Sequence, residues 1–397
     1  MNVLILDVAN RIRAGVMHVV PYVYNQVARA GNLAFFYLYE KPFFFVWRLL
    51  NRGREFKLTC ITPFADLEIT QNGDCYLCCP SWLPVVIGNI SSKNISDIFN
   101  SVMAQKIRMS MYMNSLKYCD SKRCLVMASS NSPVISRDTI MMSADLNEKA
   151  KAEILAMSLT VSSPSTITEA ISELCNIKCK FCWTPYSKSS TNQAALNTFI
   201  GYVSSNIRDI RKLSFCGGEP FIQNHVRKIL DLAKDKDVKF YFTSNLVHID
   251  DQMKSLLQKI HFDVLHVSLN AASKMTYNKI IDCGDWDSVM KNLDFIQGLR
   301  RKYSRPRRLQ ISMVVTNQNY VDMVDFTMLG IKVNADSIQY YPMIDYGIPA
   351  QSGLQIGAAE KQEIREMLKH PVFESHKHII EVGTLKQTLR KQMNVQV

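Results

Sequence analysis

The sequence predicts an α/β protein built mainly from parallel strands that alternate with helices. Two observations predict this class. First, 397 residues with 47% hydrophobic and 21% charged content supply ample apolar sequence for a large core in two or three domains. Second, strand-like runs alternate with helical periodicity between about 165 and 345, which is typical of a parallel sheet with crossover helices.

Five strand-like runs lie in this region, and a sixth precedes Cys175. The five runs are Leu213–Phe215, Val238–Thr243, Val264–Leu269, Leu309–Val315 and Ile338–Tyr341. About six strand–helix units fit this stretch, which predicts a partial (β/α)6 TIM-like barrel that falls short of a complete eight-unit one. Active sites of such folds lie at the C-terminal ends of the strands, so we expect functional residues there.

The composition divides the chain into five parts. They are an aromatic, amphipathic segment (1–50), a small α+β cysteine-rich domain (51–130), a linker with a helix of its own (131–164), the barrel (165–345) and a C-terminal helical extension (346–397). No apolar run in the first segment reaches the roughly 20 residues that a spanning helix needs. We expect this segment to dock on the protein's own core, in preference to a partner surface or a membrane interface.

Charge and cysteine usage indicate the compartment and the partners. The first thirty residues lack a secretory signal pattern, so the eleven cysteines are expected in the cytoplasm, in metal sites or catalysis and not in disulfides. A nucleic-acid partner is not expected. The net charge is +12, and six basic residues are concentrated in one stretch: Arg300, Arg301, Lys302, Arg305, Arg307 and Arg308. This stretch indicates a solvated helix end or, alternatively, a dock for an acidic electron donor, a phosphate-bearing substrate or a membrane.

Three cysteines follow the first predicted strand of the barrel with the spacing C-x3-C-x2-C. They are Cys175, Cys179 and Cys182. Three thiolates on one loop can hold three irons of a four-iron cubane, whereas a usual ferredoxin site needs four cysteines. The missing ligand leaves one iron open to a small molecule. On spacing alone, a structural zinc site with a distant histidine as fourth ligand is an alternative.

This spacing, with the aromatic Phe181 before the third cysteine, resembles the radical S-adenosylmethionine (SAM) superfamily over about 165–345. Downstream, Cys216-Gly217-Gly218-Glu219-Pro220 ends the second of the six predicted strands and looks like the GGEP motif of that family. The resemblance implies that the open iron of a [4Fe-4S] cluster chelates the methionine moiety of SAM. It also implies that Phe181 borders the adenine and that Glu219 accepts a hydrogen bond from the SAM ammonium.

Polar residues also end the next two predicted strands. Ser244 and Asn245 end one strand, and Ser268 and Asn270 end the following one. In similar enzymes these strand ends meet the ribose and carboxylate of SAM, so the resemblance implies a cofactor-binding set of these four residues together with Phe181 and residues 217–220. The next strand departs from the family pattern, because it ends in Thr316-Asn317-Gln318-Asn319 where some relatives have a glycine-containing segment. Cys283 is a candidate hydrogen-atom donor to a substrate radical, with a plain loop residue as the alternative.

Six cysteines between positions 60 and 124 frame a second site. Cys60, Cys78, Cys119 and Cys124 are the predicted ligands, with Cys75 and Cys79 as alternates. Together with the turn Asn72-Gly73-Asp74 and the Gly73-x4-Cys78 spacing, they resemble the SPASM or twitch auxiliary-cluster domain, which usually follows the radical SAM core and here precedes it. The resemblance implies one auxiliary [4Fe-4S] cluster. A zinc ribbon-like site is the alternative on spacing.

Together these motifs predict a radical SAM enzyme. The resemblance implies reductive cleavage of SAM to a 5′-deoxyadenosyl radical that takes a hydrogen atom from a substrate C–H bond, with the auxiliary cluster in electron transfer. The expected substrate is a peptide or protein side chain, or a small metabolite such as a sugar, nucleoside or lipid. The expected electron donor is of the flavodoxin or ferredoxin type. The alternative function is a non-catalytic zinc or redox binding module.

Overall fold

The computed structural model describes residues 33–51, 56, 58–121, 123, 124, 127, 135–182, 191–345 and 347–390. The chain divides into two compact units, 1–57 and 58–397. In the first unit residues 33–50 are helical throughout, and a π-helical stretch (Phe36–Glu40) continues directly into α1 (Lys41–Leu50). Within the described ranges, every helix is too short or too polar to cross a bilayer.

A ten-stranded sheet frames the second unit. Its strands are β1 (Asp66–Ile69), β2 (Asp74–Tyr76), β3 (Gly88–Asn89), β4 (Thr166–Glu169), β6 (Lys212–Phe215), β7 (Lys239–Ser244), β8 (His261–Ser268), β10 (Arg308–Val315), β11 (Ser337–Pro342) and β12 (Ile380–Glu381). Their order is β12-β11-β10-β8-β7-β6-β4-β1-β2-β3. All neighbours from β12 to β1 pair in parallel, so these eight strands end at one common edge. A separate antiparallel pair consists of β5 (Lys178–Cys179) and β9 (Ile281–Asp282).

The predicted fold class is confirmed: the chain is a mixed α/β protein with a large, mostly parallel sheet. The six predicted strands correspond to β4, β6, β7, β8, β10 and β11. Two more parallel strands, β1 and β12, come from outside the predicted barrel and pair with β4 and β11. The five domain boundaries remain predictions.

Helices connect the strands, and several of them start at a side-chain cap. They are α2 (Thr62–Ala65), α3 (Ile95–Phe99), α4 (Val102–Tyr112), α5 (Arg137–Met142), α6 (Glu148–Leu155), α7 (Gln193–Asn206), α8 (Asn224–Ala233), α9 (Asp251–Lys259), α10 (Lys274–Ile280), α11 (Trp286–Tyr303), α12 (Met323–Lys332), α13 (Ala358–Met367), α14 (Pro371–Ser375) and α15 (Gly383–Arg390). Asn192, Asp250 and Ser273 accept a backbone N–H at the start of α7, α9 and α10. Such side-chain caps satisfy donors that the first helical turn leaves unpaired.

The two faces of the parallel sheet differ in polarity. Along β7, the buried Phe240 and Phe242 alternate with the more polar Tyr241 and Thr243. On the apolar face, the Phe215 ring lies 5.6 Å from that of Phe242 and 6.5 Å from that of His225 in α8. Because side chains alternate across a strand, the opposite face is left to polar residues, and this face leads up to the site described next.

Candidate active site at the carboxyl edge of the sheet

A cavity of about 590 Å³ lies where the parallel strands end. Its volume falls in the range of small-molecule sites. The described lining includes most of the residues that the motifs singled out: Cys175, Cys179, Cys182, Phe181, Gly217, Gly218, Ser244, Asn245, Ser268 and Asn270. These residues are far apart in sequence, and they meet because parallel strands place their carboxyl ends at one edge.

The loop with the three cysteines is fixed from two sides. Cys179 in β5 pairs with Ile281 in β9, which ties the loop to the segment after α10. Within the loop, the Cys182 N–H donates to the Cys179 carbonyl at 3.0 Å. Gln351 Nε2 donates to the carbonyl oxygens of Phe181 at 3.0 Å and Cys182 at 3.2 Å. Gln351 comes from the C-terminal extension, and no sequence motif marked it as part of the site.

The surroundings of the loop thiols disfavour their ionised form. Burial raises the pKa of Cys175 to about 11 and also raises that of Cys179, and the nearby Cys182 acts in the same direction on both. Asn245 Nδ2 donates to the Cys175 sulfur at 3.7 Å. Across the described part of the chain, no three His, Cys, Asp or Glu side chains are close enough to bind one metal ion. In a cubane each thiolate would bind a different iron, and iron would stabilise thiolates that burial otherwise disfavours.

The pair Gly217–Gly218 brings one backbone turn directly against the segment before the first cluster cysteine. Gly218 has a φ of +55°, and the Glu219 N–H donates to the Leu174 carbonyl at 2.8 Å. A β-carbon on Gly217 would lie 2.7 Å from the Ser172 carbonyl oxygen, and one on Gly218 would collide with the backbone of Leu174. Only glycine permits this approach together with a left-handed conformation.

Glu219 lies behind the described wall of the cavity, with its carboxylate buried. One oxygen accepts hydrogen bonds from Ser244 Oγ at 2.9 Å and the Phe221 N–H at 3.1 Å, and the other accepts from the Asn245 N–H at 2.7 Å. Burial raises the pKa of this carboxyl to about 7 in spite of these donors. Glu219 therefore fixes the ends of β6 and β7 relative to each other. The hydrogen bond that the sequence predicts from the SAM ammonium to Glu219 would need a further lone pair of the carboxylate, and it stays a prediction.

Asn270 joins the ends of β8 and β10. Its backbone is left-handed with a φ of +64°, its N–H donates to the Ser312 carbonyl at 3.0 Å, and its Oδ1 accepts from the Val314 N–H at 2.9 Å. The buried Asn319 donates to the carbonyls of Asn270 at 2.8 Å and Val314 at 2.9 Å. Asn319 belongs to the segment that departs from the glycine-containing family pattern, and the structure gives it a positioning role there.

Below the cavity, the same face of the sheet remains polar. The Tyr241 hydroxyl donates to Gln310 Oε1 at 3.0 Å, and the Tyr341 hydroxyl donates to Gln339 Oε1 at 2.6 Å. His266 lies on this face two residues before the cavity-lining end of β8. Its Nε2 is buried without a hydrogen-bond partner in the described structure, and burial lowers the pKa of the ring to about 4. The neutral imidazole thus retains an unused hydrogen-bonding group.

The C-terminal extension completes this polar face, which the sequence did not predict. Glu381 in β12 accepts hydrogen bonds from Ser337 Oγ at 2.6 Å and Gln339 Nε2 at 3.4 Å. Thr384, in the first turn of α15, lines the cavity itself. A two-residue strand has no readable periodicity, so the sequence carried no signal for Glu381.

The upstream cysteines separate into groups. The four predicted ligands are electrostatic neighbours: Cys60, Cys78, Cys119 and Cys124. Burial raises the pKa of Cys119 to about 11, and the thiols of Cys124 and Cys60 raise it further. Cys75 differs from these four cysteines. It pairs with the buried Ile69 in the hairpin and is fully buried itself. Its thiol donates to the Gly73 carbonyl oxygen at 3.7 Å.

Cys79 is electrostatically coupled both to this group and to a cysteine of the cavity. Its thiol is an electrostatic neighbour of Cys78 on one side and of Cys216 on the other. Cys216 lines the cavity, and burial raises the pKa of its thiol to about 12, with Glu68, Glu169 and Cys79 acting in the same direction. The two cysteine-bearing sites are therefore linked through the polar face of the sheet.

Two features singled out in the sequence are not part of the described lining of the cavity. Cys283 is exposed, and the described lining does not include it. The basic stretch lies at the amino end of β10, whereas the cavity lies at the carboxyl end, roughly 25 Å away along an eight-residue strand. Two of its arginines form ion pairs with aspartates, Arg300 with Asp336 at 2.7 Å and Arg307 with Asp263 at 2.6 Å. We therefore do not assign the basic stretch to the site, and the role of Cys283 as a hydrogen-atom donor stays a prediction.

The fold and the site define a class: an α/β protein with a three-cysteine loop at the carboxyl edge of its sheet and a second cysteine site beside the first strand. Residues 170–329 match the family model of the radical SAM superfamily, and residues 60–125 match that of SPASM, an iron–sulfur cluster-binding domain. The chain therefore contains a radical SAM domain and a SPASM domain, as its motifs predicted. These domains imply a [4Fe-4S] cluster with SAM and auxiliary iron–sulfur ligation.

Two curated relatives each match about a third of the chain. It is 26% identical over 132 residues to a probable GTP 3′,8-cyclase of Methanococcus maripaludis, covering 32% of this chain and 43% of that protein. It is 25% identical over 131 residues to a putative glycyl-radical enzyme activating enzyme of Methanocaldococcus jannaschii, covering 33% and 49%. The match thus spans less than half the length of either relative. Among solved structures, SuiB of Streptococcus suis bound to precursor peptide SuiA has a TM-score of 0.46 and 14% identity, covering 72% of this chain and 64% of that one.

Proposed function

We propose that the protein is a radical SAM enzyme that cleaves SAM reductively and removes a hydrogen atom from a substrate C–H bond. The observation that carries this proposal is the meeting of three loop thiols, a glycine turn and the polar ends of two strands in one cavity. Cys175, Cys179 and Cys182 would hold a [4Fe-4S] cluster with one iron left for SAM. Cluster and SAM together supply the 5′-deoxyadenosyl radical, and the protein supplies binding and orientation.

The residues around the cavity have distinct binding tasks in this proposal. Phe181 offers an aromatic face to the adenine. Asn245, Ser268 and Asn270 offer hydrogen-bonding groups to the ribose and the carboxylate. The turn at Gly218 allows the ligand to approach the backbone closely, and Glu219 holds that turn against the end of β7. A fixed frame of this kind places the substrate carbon near the reacting group and reduces the entropic cost of reaction.

We infer that the substrate lies toward Tyr341 and Thr384, on the side of the cavity that continues into the polar face. The hydroxyl, amide and imidazole groups there favour a substrate with hydrogen-bonding groups of its own. A peptide or protein side chain and a small polar metabolite both carry such groups. The thiol-rich sites and the reductive chemistry suit a cytoplasmic location with a flavodoxin- or ferredoxin-type electron donor.

We infer that Cys60, Cys78, Cys119 and Cys124 bind one auxiliary [4Fe-4S] cluster. Because four cysteines would ligate all four irons, no iron would be open to a substrate. Such a cluster is suited to electron transfer. The electrostatic proximity of Cys79 to both Cys78 and the cavity-lining Cys216 supports this role.

Anaerobic reconstitution with iron and sulfide tests the proposal. The wild type is expected to absorb near ~400 nm as iron–sulfur proteins do, to change its paramagnetic resonance signal when SAM is added, and to form 5′-deoxyadenosine with dithionite. Cys179→Ala should lose the last two properties and keep the auxiliary cluster. Cys119→Ala is the reciprocal control, which should lose auxiliary iron and keep the response to SAM. Binding of zinc in place of iron, or unimpaired 5′-deoxyadenosine formation by Cys179→Ala, would refute the proposal.

A further inference from the structure

The helix of residues 33–50 exposes an unusual amount of apolar surface. Ten of its large apolar side chains are exposed: Leu33, Phe35, Tyr37, Leu38, Tyr39, Phe43, Phe45, Val46, Leu49 and Leu50. In this helix only Phe36 and Phe44 are buried. Exposed patches of this kind mark a binding surface.

Five of the exposed side chains form a stripe opposite the charged residues. Phe35, Tyr39, Phe43, Val46 and Leu50 recur every three or four residues, which places them on one side of a helix. The three charged residues, Glu40, Lys41 and Arg48, project within a sector of roughly 100° on the other side. The helix is therefore amphipathic, with its broad apolar side unpartnered in the described structure.

The charge around the helix is basic. Residues 1–57 contain eight Lys and Arg residues against three Asp and Glu residues. On the helix itself, the Lys41 ammonium lies 5.2 Å from the centre of the Tyr37 ring, and the Arg48 guanidinium lies 5.3 Å from that of the Phe45 ring. Cations are thus held at the border of the apolar surface. Anionic lipid headgroups complement such an arrangement.

We propose that helix 33–50 binds the surface of an anionic membrane and lies in the plane of the interface. Its aromatic and aliphatic side chains enter the boundary between headgroups and acyl chains, where tyrosine and tryptophan are favoured. Lys41 and Arg48 then meet the lipid phosphates. The helix is too short or too polar to cross the bilayer, which fits an interfacial position. Lipid covers the broad sector of exposed side chains, whereas a protein groove would cover a narrower stripe.

Vesicle flotation of the reconstituted full-length protein tests this proposal. We expect the wild type to float with vesicles of phosphatidylcholine and phosphatidylglycerol and to bind weakly to phosphatidylcholine alone. The variant with Leu38→Glu, Phe43→Glu and Leu50→Glu changes side chains that are 67%, 52% and 75% exposed. It should lose membrane affinity by a factor on the order of a hundred or more, because three apolar contacts with lipid are replaced by charges. Lys41→Ala with Arg48→Ala should weaken binding to the anionic vesicles alone.

A matched control carries the same number of new charges elsewhere. Met142→Glu, Met275→Glu and Met328→Glu change methionines that are 84%, 68% and 53% exposed, and this variant should float like the wild type. Far-ultraviolet circular dichroism checks that all variants are folded. If the wild type does not float, the proposal is overturned. This holds for a monomer, and it holds equally for a dimer that the helix variant abolishes, since a second copy of the chain would then cover the apolar surface. Equal loss of flotation in the helix variant and the methionine control overturns it as well.

Discussion

Gly218 is the position where the structure restricts a single residue most severely. Its φ of +55° lies in the left-handed region, which costs a residue with a β-carbon about 1–2 kcal/mol. The added carbon would also displace the Leu174 carbonyl, which accepts hydrogen bonds from the Glu219 N–H at 2.8 Å and Gln223 Nε2 at 3.3 Å. With each weakened hydrogen bond worth about 1 kcal/mol, Gly218→Ala should lower the free energy of unfolding by about 3 kcal/mol. SAM binding should weaken too, because Leu174 directly precedes the first cluster cysteine.

Gly201→Ala is the matched control for this change. Gly201 lies inside α7, and a β-carbon there meets no atom within 4 Å. Alanine at this position should raise the free energy of unfolding by about 0.5–1 kcal/mol. Denaturant unfolding of the cluster-free chain, followed by tryptophan fluorescence, measures both variants, and equilibrium dialysis of the reconstituted protein measures SAM binding. If the two variants unfold at the same denaturant concentration, the close approach deduced at Gly218 is wrong.

Three further outcomes are expected. Cys78→Ala should lose auxiliary-site iron, whereas Cys75→Ala should keep it because that thiol lies on the apolar face; equal iron contents would contradict this. His266 has a pKa of about 4 against 6.5 for the free side chain, so the stability that comes from its neutral form is present above pH 6.5 and is lost as the pH falls toward 4. Between pH 7 and pH 5, the free energy of unfolding should fall by about 2 kcal/mol less in His266→Gln than in the wild type. Identical falls in the two proteins would refute this assignment to His266. Arg108→Met removes donors to the Pro63 and Leu159 carbonyls and should cost about 3 kcal/mol in the same assay, and a change below about 1 kcal/mol would show that water replaces them.

The main strands could be predicted from the sequence because they carry a strong local pattern. The predicted Leu309–Val315 and the observed β10, Arg308–Val315, differ by one residue. By contrast, β1 and β12 have four and two residues, and their membership of the parallel sheet depends on pairing with β4 and β11. Pairing between distant segments leaves no periodic signal in the short strands themselves.

The auxiliary site likewise has features that the sequence predicts and others that only the structure decides. The sequence identified six cysteines and a hairpin turn, yet it did not decide among Cys75, Cys78 and Cys79. In the structure Cys75 lies opposite Ile69 in the hairpin, on the buried apolar side. The register of a hairpin decides which face each side chain takes, and a shift of one residue reverses every face.

The sequence by itself determined the chemistry of this protein: three thiols within eight residues and a glycine pair that lets the backbone approach a ligand. These properties are local, since covalent spacing fixes them before the chain folds. Only the tertiary structure decided which side chains share the cavity. It brought in Gln351 and Thr384 from the C-terminal extension, and it used Asn319 to hold two strand ends together. Such contacts depend on sheet order, register and burial, which arise when distant segments pack against one another.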